Sequence, residues 1–167
     1  GKFLIEKRQF DIVKIVAQEV KALQTTAESR DLVLKVAAPN KPVMVLADEA
    51  KIRQVIVNFI DNALYYSKPS TAIRISVKAG TNVQVTVQDT GIGVPASQQA
   101  KLFTKFFRAD NARTQRPDGT GVGLYLAKMI IDGHKGKIIF SSKEGQGSTF
   151  GFSLPLASKD TDQANNK

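Results

Sequence analysis

The chain of 167 residues has no cysteine. Disulfides, zinc thiolates and thiol nucleophiles are therefore excluded. A single histidine, His134, speaks against a His-based metal cluster or a Ser-His-Asp triad. Aromatic residues make up only 7% of the chain, and no basic run interleaves with them as it does in single-strand nucleic-acid binders. No apolar stretch approaches the roughly 20 residues of a membrane span, and no signal-peptide pattern opens the chain. A soluble domain in a reducing, cytoplasmic setting is the expectation. Two common phosphate loops are missing as well. No window fits the Gly-x4-Gly-Lys-Ser/Thr pattern of a P-loop. A Rossmann fingerprint would need its third glycine where Leu124 stands, and Gly119 follows Pro117-Asp118 rather than a strand.

Acidic residues are also in deficit. Fifteen Asp and Glu face 24 Lys and Arg, for a net charge of +9. The cations are spread along the chain, so a ligand or partner rich in phosphate or carboxylate explains them without nucleic acid. At 42% hydrophobic, the chain is long enough for one domain with a proper core.

What is present centres on two glycine-bearing segments, Asp89-Thr-Gly-Ile-Gly-Val-Pro95 and Gly119-Thr-Gly-Val-Gly-Leu124. Glycine lets bare backbone amides approach an anion closely. The first segment carries Asp89 at the end of the alternation Val83, Val85, Val87. The second runs into the helical pattern Leu124, Ala127, Ile130, Ile131, which would set its amides at a helix N-terminus. The pair reads as a nucleotide site; taken singly, each is also compatible with an ordinary turn.

Residues 9–29 have helical spacing, with Phe10, Val13, Val16, Val20, Leu23 and Ala27 on one face. Strands are expected at 32–37 and 43–46, joined as a hairpin around Pro39-Asn-Lys-Pro42. Asp48 caps a helix predicted through Tyr66, with a core stripe of Ile52, Val55, Phe59, Ile60 and Ala63. Further strands are expected at 72–77, 83–88, 137–141 and 148–154, and a helix at 122–133. The stretch 95–118 is long, polar and basic, with the apolar cluster Leu102-Phe103 and Phe106-Phe107. Residues 157–167 have no large apolar side chain and are expected to be a disordered tail. Helices and strands alternate without βαβ regularity, which favours an α+β fold, a sandwich with helices on one sheet face.

The helix after Asp48 bears a polar stripe. Gln54, Asn58 and Asn62 lie four apart and share a face, with Asp61 three beyond Asn58. Asparagine is a poor mid-helix residue unless its amide finds a partner. Its oxygen can ligate Mg²⁺ and its NH₂ can donate to phosphate. The alternative is a solvated face opposite the core.

Taken in order, Asn58-Phe-Ile-Asp-Asn62-Ala-Leu-Tyr-Tyr66-Ser67, Asp89-x-Gly91-x-Gly93, Phe103…Phe106-Phe107-Arg108, Gly119-x-Gly121-x-Gly123-Leu124 and Gly145-x-Gly147-Ser-Thr149 resemble the catalytic ATP-binding domain of sensor histidine kinases, of the GHKL superfamily. The resemblance covers roughly residues 9–156. It implies a Bergerat sandwich, a mixed and mostly antiparallel sheet with helices on one face and an ATP lid at 95–118. Residues 1–8 would then be the stub of a preceding helical domain.

The same resemblance implies the site. Asn62 would ligate Mg²⁺, with Asn58 beside the phosphates. Tyr66 would flank adenine and ribose. Asp89 would accept from the adenine amine, with Thr149 supporting the adjacent water. Gly91, Gly93, Gly119, Thr120, Gly121, Val122, Gly123 and Leu124 would admit nucleotide and hinge the lid, and Phe103, Phe106 and Phe107 would anchor it against the domain when nucleotide is bound. Arg108 would contact the terminal phosphate. ATP or ADP with Mg²⁺ are the implied ligands. The implied partners are a dimerisation and phosphoacceptor domain and a response regulator, with this chain itself monomeric and the whole kinase anchored in the membrane. His134 lies in Gly133-His-Lys-Gly136 just past a helix end, so it reads as a structural cap and not as a phosphoacceptor.

The chain departs from the family at Tyr65, where a cation is usual. Spacing puts position 65 on the Asn62 face, which the resemblance turns toward the phosphates, so either nucleotide affinity is reduced or a lid cation compensates: Arg108 first, with Arg113 or Lys105 as alternatives. Two rivals stay open: another Bergerat ATPase of gyrase, chaperone or mismatch-repair type, and an anti-sigma-type serine kinase or nucleotide-sensing regulator.

Overall fold

The computed structural model describes residues 4–116, 119 and 121–157. Thr120 and most of the predicted tail lie outside the described residues. A strand β1 (Arg8–Asp11) leads into α1 (Ile12–Ser29), followed by β2 (Leu32–Ala37), β3 (Met44–Ala47) and α2 (Glu49–Tyr66). Strands β4 (Thr71–Ala79) and β5 (Asn82–Gln88) come next. A 3₁₀ turn over Ala96–Lys101 and the short α3 (Asp110–Gln115) then precede α4 (Gly123–Gly133), β6 (Lys137–Lys143) and β7 (Gly147–Pro155).

Five strands form one sheet in the order β2-β4-β5-β7-β6. Only β2 and β4 run parallel; the remaining pairs are antiparallel. Alternation along the strands sends Ile73, Ile75 and Val77, then Val83, Val85 and Val87, then Phe150, Phe152 and Leu154 into the core. That face is covered by α1, α2 and α4, with α2 packed against both of the others. Arg74, Lys78, Gln84 and Gln88 point away, so the fold is the two-layer α+β sandwich expected.

The α2 stripe forms as its spacing dictates. Ile52, Val55, Phe59, Ile60 and Ala63 are all buried, and Phe59 meets Phe150 at 5.7 Å between ring centroids. Asp48 caps the helix, accepting from the Lys51 N–H at 3.2 Å. His134 sits at the C-terminal end of α4, 4% exposed. Its Nδ1 lies 2.7 Å from the Ile130 carbonyl, and its Nε2 accepts the Asp48 N–H at 2.9 Å. The imidazole therefore pins the end of α4 to the start of α2, a structural joint between two helices.

Two sequence expectations are corrected here. The first helix begins at Ile12 and not at residue 9, because Asp11 accepts from the N–H groups of both Val13 and Val43 at 3.0 Å and breaks the chain direction there. Residues 8–11 instead pair with β3 in a separate two-stranded sheet. The expected hairpin of residues 32–37 with 43–46 does not exist: β2 pairs with β4 and β3 with β1. Both partners are remote in sequence, and nothing local to the Pro39–Pro42 stretch reports them.

Candidate functional site

Between α2, the C-terminal end of β5 and residues 93–116, 119 and 121–124 lies a cavity of about 270 Å³. One wall is the polar stripe of α2: Asn58, Asp61, Asn62 and Tyr66. Asn58 Nδ2 donates to the Gly123 carbonyl at 3.3 Å, which ties this wall to the start of α4. Gln54, one turn earlier, is exposed and outside the lining.

The opposite wall is built on the sheet. Asp89 follows β5 directly and is 8% exposed. Its Oδ1 accepts from the N–H of Gly91 at 2.8 Å and from the N–H of Ser148 at 3.3 Å. Burial pushes the carboxyl above its ordinary pKa of 3.8, and the two N–H donors partly oppose that rise. Both bonds fall on Oδ1, which leaves Oδ2 to accept from a donor entering the cavity.

The third wall comes from 93–116 together with 119 and 121–124. Gly93, Phe107, Arg108, Gly119, Gly121, Gly123 and Leu124 line it, joined by Arg116. Arg108 acts here as an internal tie. Its Nη1 donates to the Gly119 carbonyl at 3.2 Å, and its Nη2 to the Ala112 carbonyl at 3.0 Å, to the Arg116 carbonyl and, at 3.4 Å, to the Tyr66 hydroxyl.

Several expected residues stand elsewhere. Gly91 is outside the lining; a Cβ there would meet the Tyr66 carbonyl oxygen at 2.3 Å, so its small size serves chain packing. Val122 lies at the head of α4 outside the lining. Phe103 is outside the lining; partly buried, it packs on Phe140 and Phe150, at 5.8 and 6.1 Å between centroids, and ties its segment to the core. Phe106 is 63% exposed, with a φ of 66°. Thr149 faces away while Ser148 lines the cavity, because successive strand residues point to opposite faces. Tyr65 is likewise outside the lining; Arg30 and Arg116 lie over its ring.

Sequence reasoning missed Asn111, Arg116 and Ser148 among the lining residues. The signal for Ser148 was the strand alternation itself. For Asn111 and Arg116 there was none, since both sit in a polar stretch without periodicity. Among the described residues no His, Cys, Asp and Glu cluster could hold a metal ion unaided. Among the same residues no helix is long and apolar enough to cross a membrane.

A mixed sheet with three helices on one face, and a cavity between a helical asparagine stripe and a carboxylate at a strand end, define a Bergerat-type sandwich. The chain belongs to the "Histidine kinase-, DNA gyrase B-, and HSP90-like ATPase" family, whose model matches residues 47–158. It is 34% identical over 158 residues to the circadian input-output histidine kinase CikA of Synechococcus elongatus, covering 93% of this chain and 21% of that protein. The catalytic domain of the histidine kinase ThkA, in a nucleotide-free form, superposes with a TM-score of 0.78 at 27% identity, covering 90% of this chain and 95% of that one. Full-length ShkA in complex with AMPPNP shares the fold, with a TM-score of 0.81 at 24% identity over 95% of this chain and 33% of that one. The chain spans about a fifth to two fifths of the length of the curated relatives it matches.

Proposed function

We propose that this chain is the ATP-binding catalytic domain of a two-component sensor histidine kinase, which binds ATP with Mg²⁺ and supplies the γ-phosphoryl for a histidine on a separate helical domain. The observation that carries the reading is Asp89. Its Oδ1 is committed to two backbone N–H groups and its Oδ2 is left for a ligand donor. A buried carboxylate in that state suits the exocyclic amine of adenine and repels the carbonyl that guanine presents at the same place. The matched relative CikA is a histidine kinase, and ShkA was solved with an ATP analogue.

Facing Asp89 across the cavity, the α2 stripe would take the phosphates. Mg²⁺ keeps most of its shell as water and phosphate oxygen and needs only one or two protein ligands. The side-chain oxygen of Asn62 fits that demand, and Asn58 stands one turn away to steer the phosphates. Tyr66 would flank base and ribose. The segment 95–118 would act as the lid, with Arg108 keeping its turns together and its charge at the cavity. Catalysis in such a site is positioning and charge neutralisation, with the attacking imidazole supplied by the other domain. His134 cannot serve, since both ring nitrogens are engaged in the α2–α4 joint. A membrane anchor and a response regulator would belong to the whole kinase and its pathway.

The test is to mix this chain with [γ-³²P]ATP and a separately expressed helical acceptor domain. Acid-labile, base-stable label should appear on the acceptor and not on this chain alone. Label on His134, or steady phosphate release with no acceptor dependence, would refute the reading.

A further inference from the structure

Five cations stand in or beside the segment that closes the cavity: Lys101, Lys105, Arg108, Arg113 and Arg116. Only Arg108 and Arg116 line the cavity. Lys105 lies over the rings of Phe106 and Tyr125, at 5.0 and 5.9 Å, on the outer side.

The two lining arginines are held in opposite ways. Arg108 donates to the carbonyls of Ala112 and Arg116, which bound the last turn of α3, to that of Gly119 and to the Tyr66 hydroxyl, so turning it toward a ligand would release several bonds at once. The Arg116 guanidinium instead rests on an aromatic ring and one distant carboxylate. Its Cζ lies 4.4 Å from the centroid of Tyr65, and its Nη1 is 3.9 Å from Asp61 Oδ2. The side chains of that pair are 33% and 50% exposed. A partly solvated pair at this separation contributes little and is readily exchanged for a more highly charged partner. The backbone at this point is held on both sides: the Arg116 N–H donates to the Ala112 carbonyl at 2.8 Å, and the Arg116 carbonyl accepts from Arg108, while the Gln115 side chain donates to the Tyr65 carbonyl at 3.2 Å. Moving Arg116 from Asp61 to an incoming phosphate therefore breaks one weak pair and leaves the ring contact and the chain in place.

We propose that Arg116 is the cation that meets the polyphosphate of a bound nucleotide, and that Tyr65 is its positioning residue, holding the guanidinium over the cavity rim through its ring. The inference rests on the reading of the cavity as an ATP site. It explains why a tyrosine serves at position 65 without lining the cavity: a ring orders an arginine that reaches from the facing segment. The hydroxyl of Tyr65 has no part in this.

Titration calorimetry of this chain with ATP and Mg²⁺, and separately with adenosine, tests it. Arg116→Ala should weaken ATP about tenfold and leave adenosine unchanged. Tyr65→Leu should weaken ATP alone, by roughly three- to fivefold, while Tyr65→Phe keeps the parent affinity. With Arg116 already removed, Tyr65→Leu should have no further ATP-specific effect. The assignment is overturned if Arg116→Ala affects ATP and adenosine equally, or affects neither. It is also overturned if Tyr65→Leu still weakens ATP in the Arg116→Ala background, or if Tyr65→Phe behaves like Tyr65→Leu. These outcomes strike only the Arg116–Tyr65 assignment as long as the parent binds both ligands. A parent that binds neither ATP nor adenosine refutes the nucleotide reading, and this inference with it.

Discussion

The two sides of the cavity are built by different physics. On the sheet side, Asp89 and Ser148 sit at the ends of β5 and β7, whose neighbours Val87 and Phe150 are 1% and 4% exposed. Their positions are set by strand pairing, from Gln88 opposite Thr149 onward, so the carboxylate is placed before any ligand arrives. On the other side, between Pro95 and Arg116, only Leu102 and Ala109 are buried. That segment is held by side-chain bonds to backbone carbonyls, of which Arg108 makes the most, and by Phe103 reaching into the aromatic cluster. The wall that would select the base is rigid by burial. The segment facing it, proposed above as the lid, is tied by exchangeable polar bonds, which suits a part that would open and close.

The contrast can be broken most severely at Phe150, which touches Phe59, Phe103 and Phe140. Phe150→Ala should cost about 3–5 kcal/mol of global stability, read as a drop in the denaturation midpoint of the whole domain. A loss confined to the 95–116 segment would mean that the sheet side is not the rigid one.

Next in size is Asp89→Asn. The amide oxygen can keep both N–H bonds now made by Oδ1, while the NH₂ replaces the free acceptor. ATP affinity should fall by roughly ten- to a hundredfold, equivalent to about 1.5–3 kcal/mol. The unliganded variant should melt higher than the parent at neutral pH. Asp89 has a folded pKa raised above 3.8, so its favourable contribution exists below the unfolded value and is lost as pH rises through the folded one. At neutral pH the buried charge is a net cost that Asn removes, and the gain should shrink on acidification through the raised pKa. A lower melting point for the neutral variant would contradict this account of Asp89.

Phe103→Ala should be milder, about 1–2 kcal/mol, and local, because this ring is only partly buried. Amide exchange across 95–116 should quicken while that of β5 and β7 holds. ATP should slow exchange in the same segment of the parent; equal protection with and without nucleotide would remove the lid from the proposal. The smallest effect is expected at Gly123, where an added Cβ meets nothing nearer than Asn58 Nδ2 at 3.8 Å. Gly123→Ala should change stability by less than about 1 kcal/mol, in the stabilising direction, since alanine favours helix. Thermal denaturation would expose a hidden constraint if the midpoint fell instead.

What was legible in the chain and what was not divides along the same line. The α2 stripe, the Asp48 cap and the alternation of β4, β5 and β7 all rest on local periodicity and reappear in the structure. On the cavity's sheet wall Asp89 was legible, while Ser148, which lines the cavity beside it, was not singled out. Helical spacing likewise put Tyr65 on the Asn62 face, between Asn58 and Asp61, yet at the last turn of α2 its ring goes to Arg30 and Arg116 and does not line the cavity, a side-chain choice that periodicity does not encode. Phe10 fits a helical stripe and a strand equally well, so β1 was hidden until its partner β3 was known.

By itself the sequence determined the elements from β2 to β5 and from α4 to β7, the asparagine stripe, the carboxylate after β5 and the family those motifs define, because each depends on residues close together in the chain. The tertiary structure alone decided that β2 and β3 part company, that Arg108 ties its own segment, and that Arg116 comes to rest on Tyr65. Those outcomes turn on which remote surfaces meet, and no pattern within a few residues encodes a contact made across 50 positions of chain.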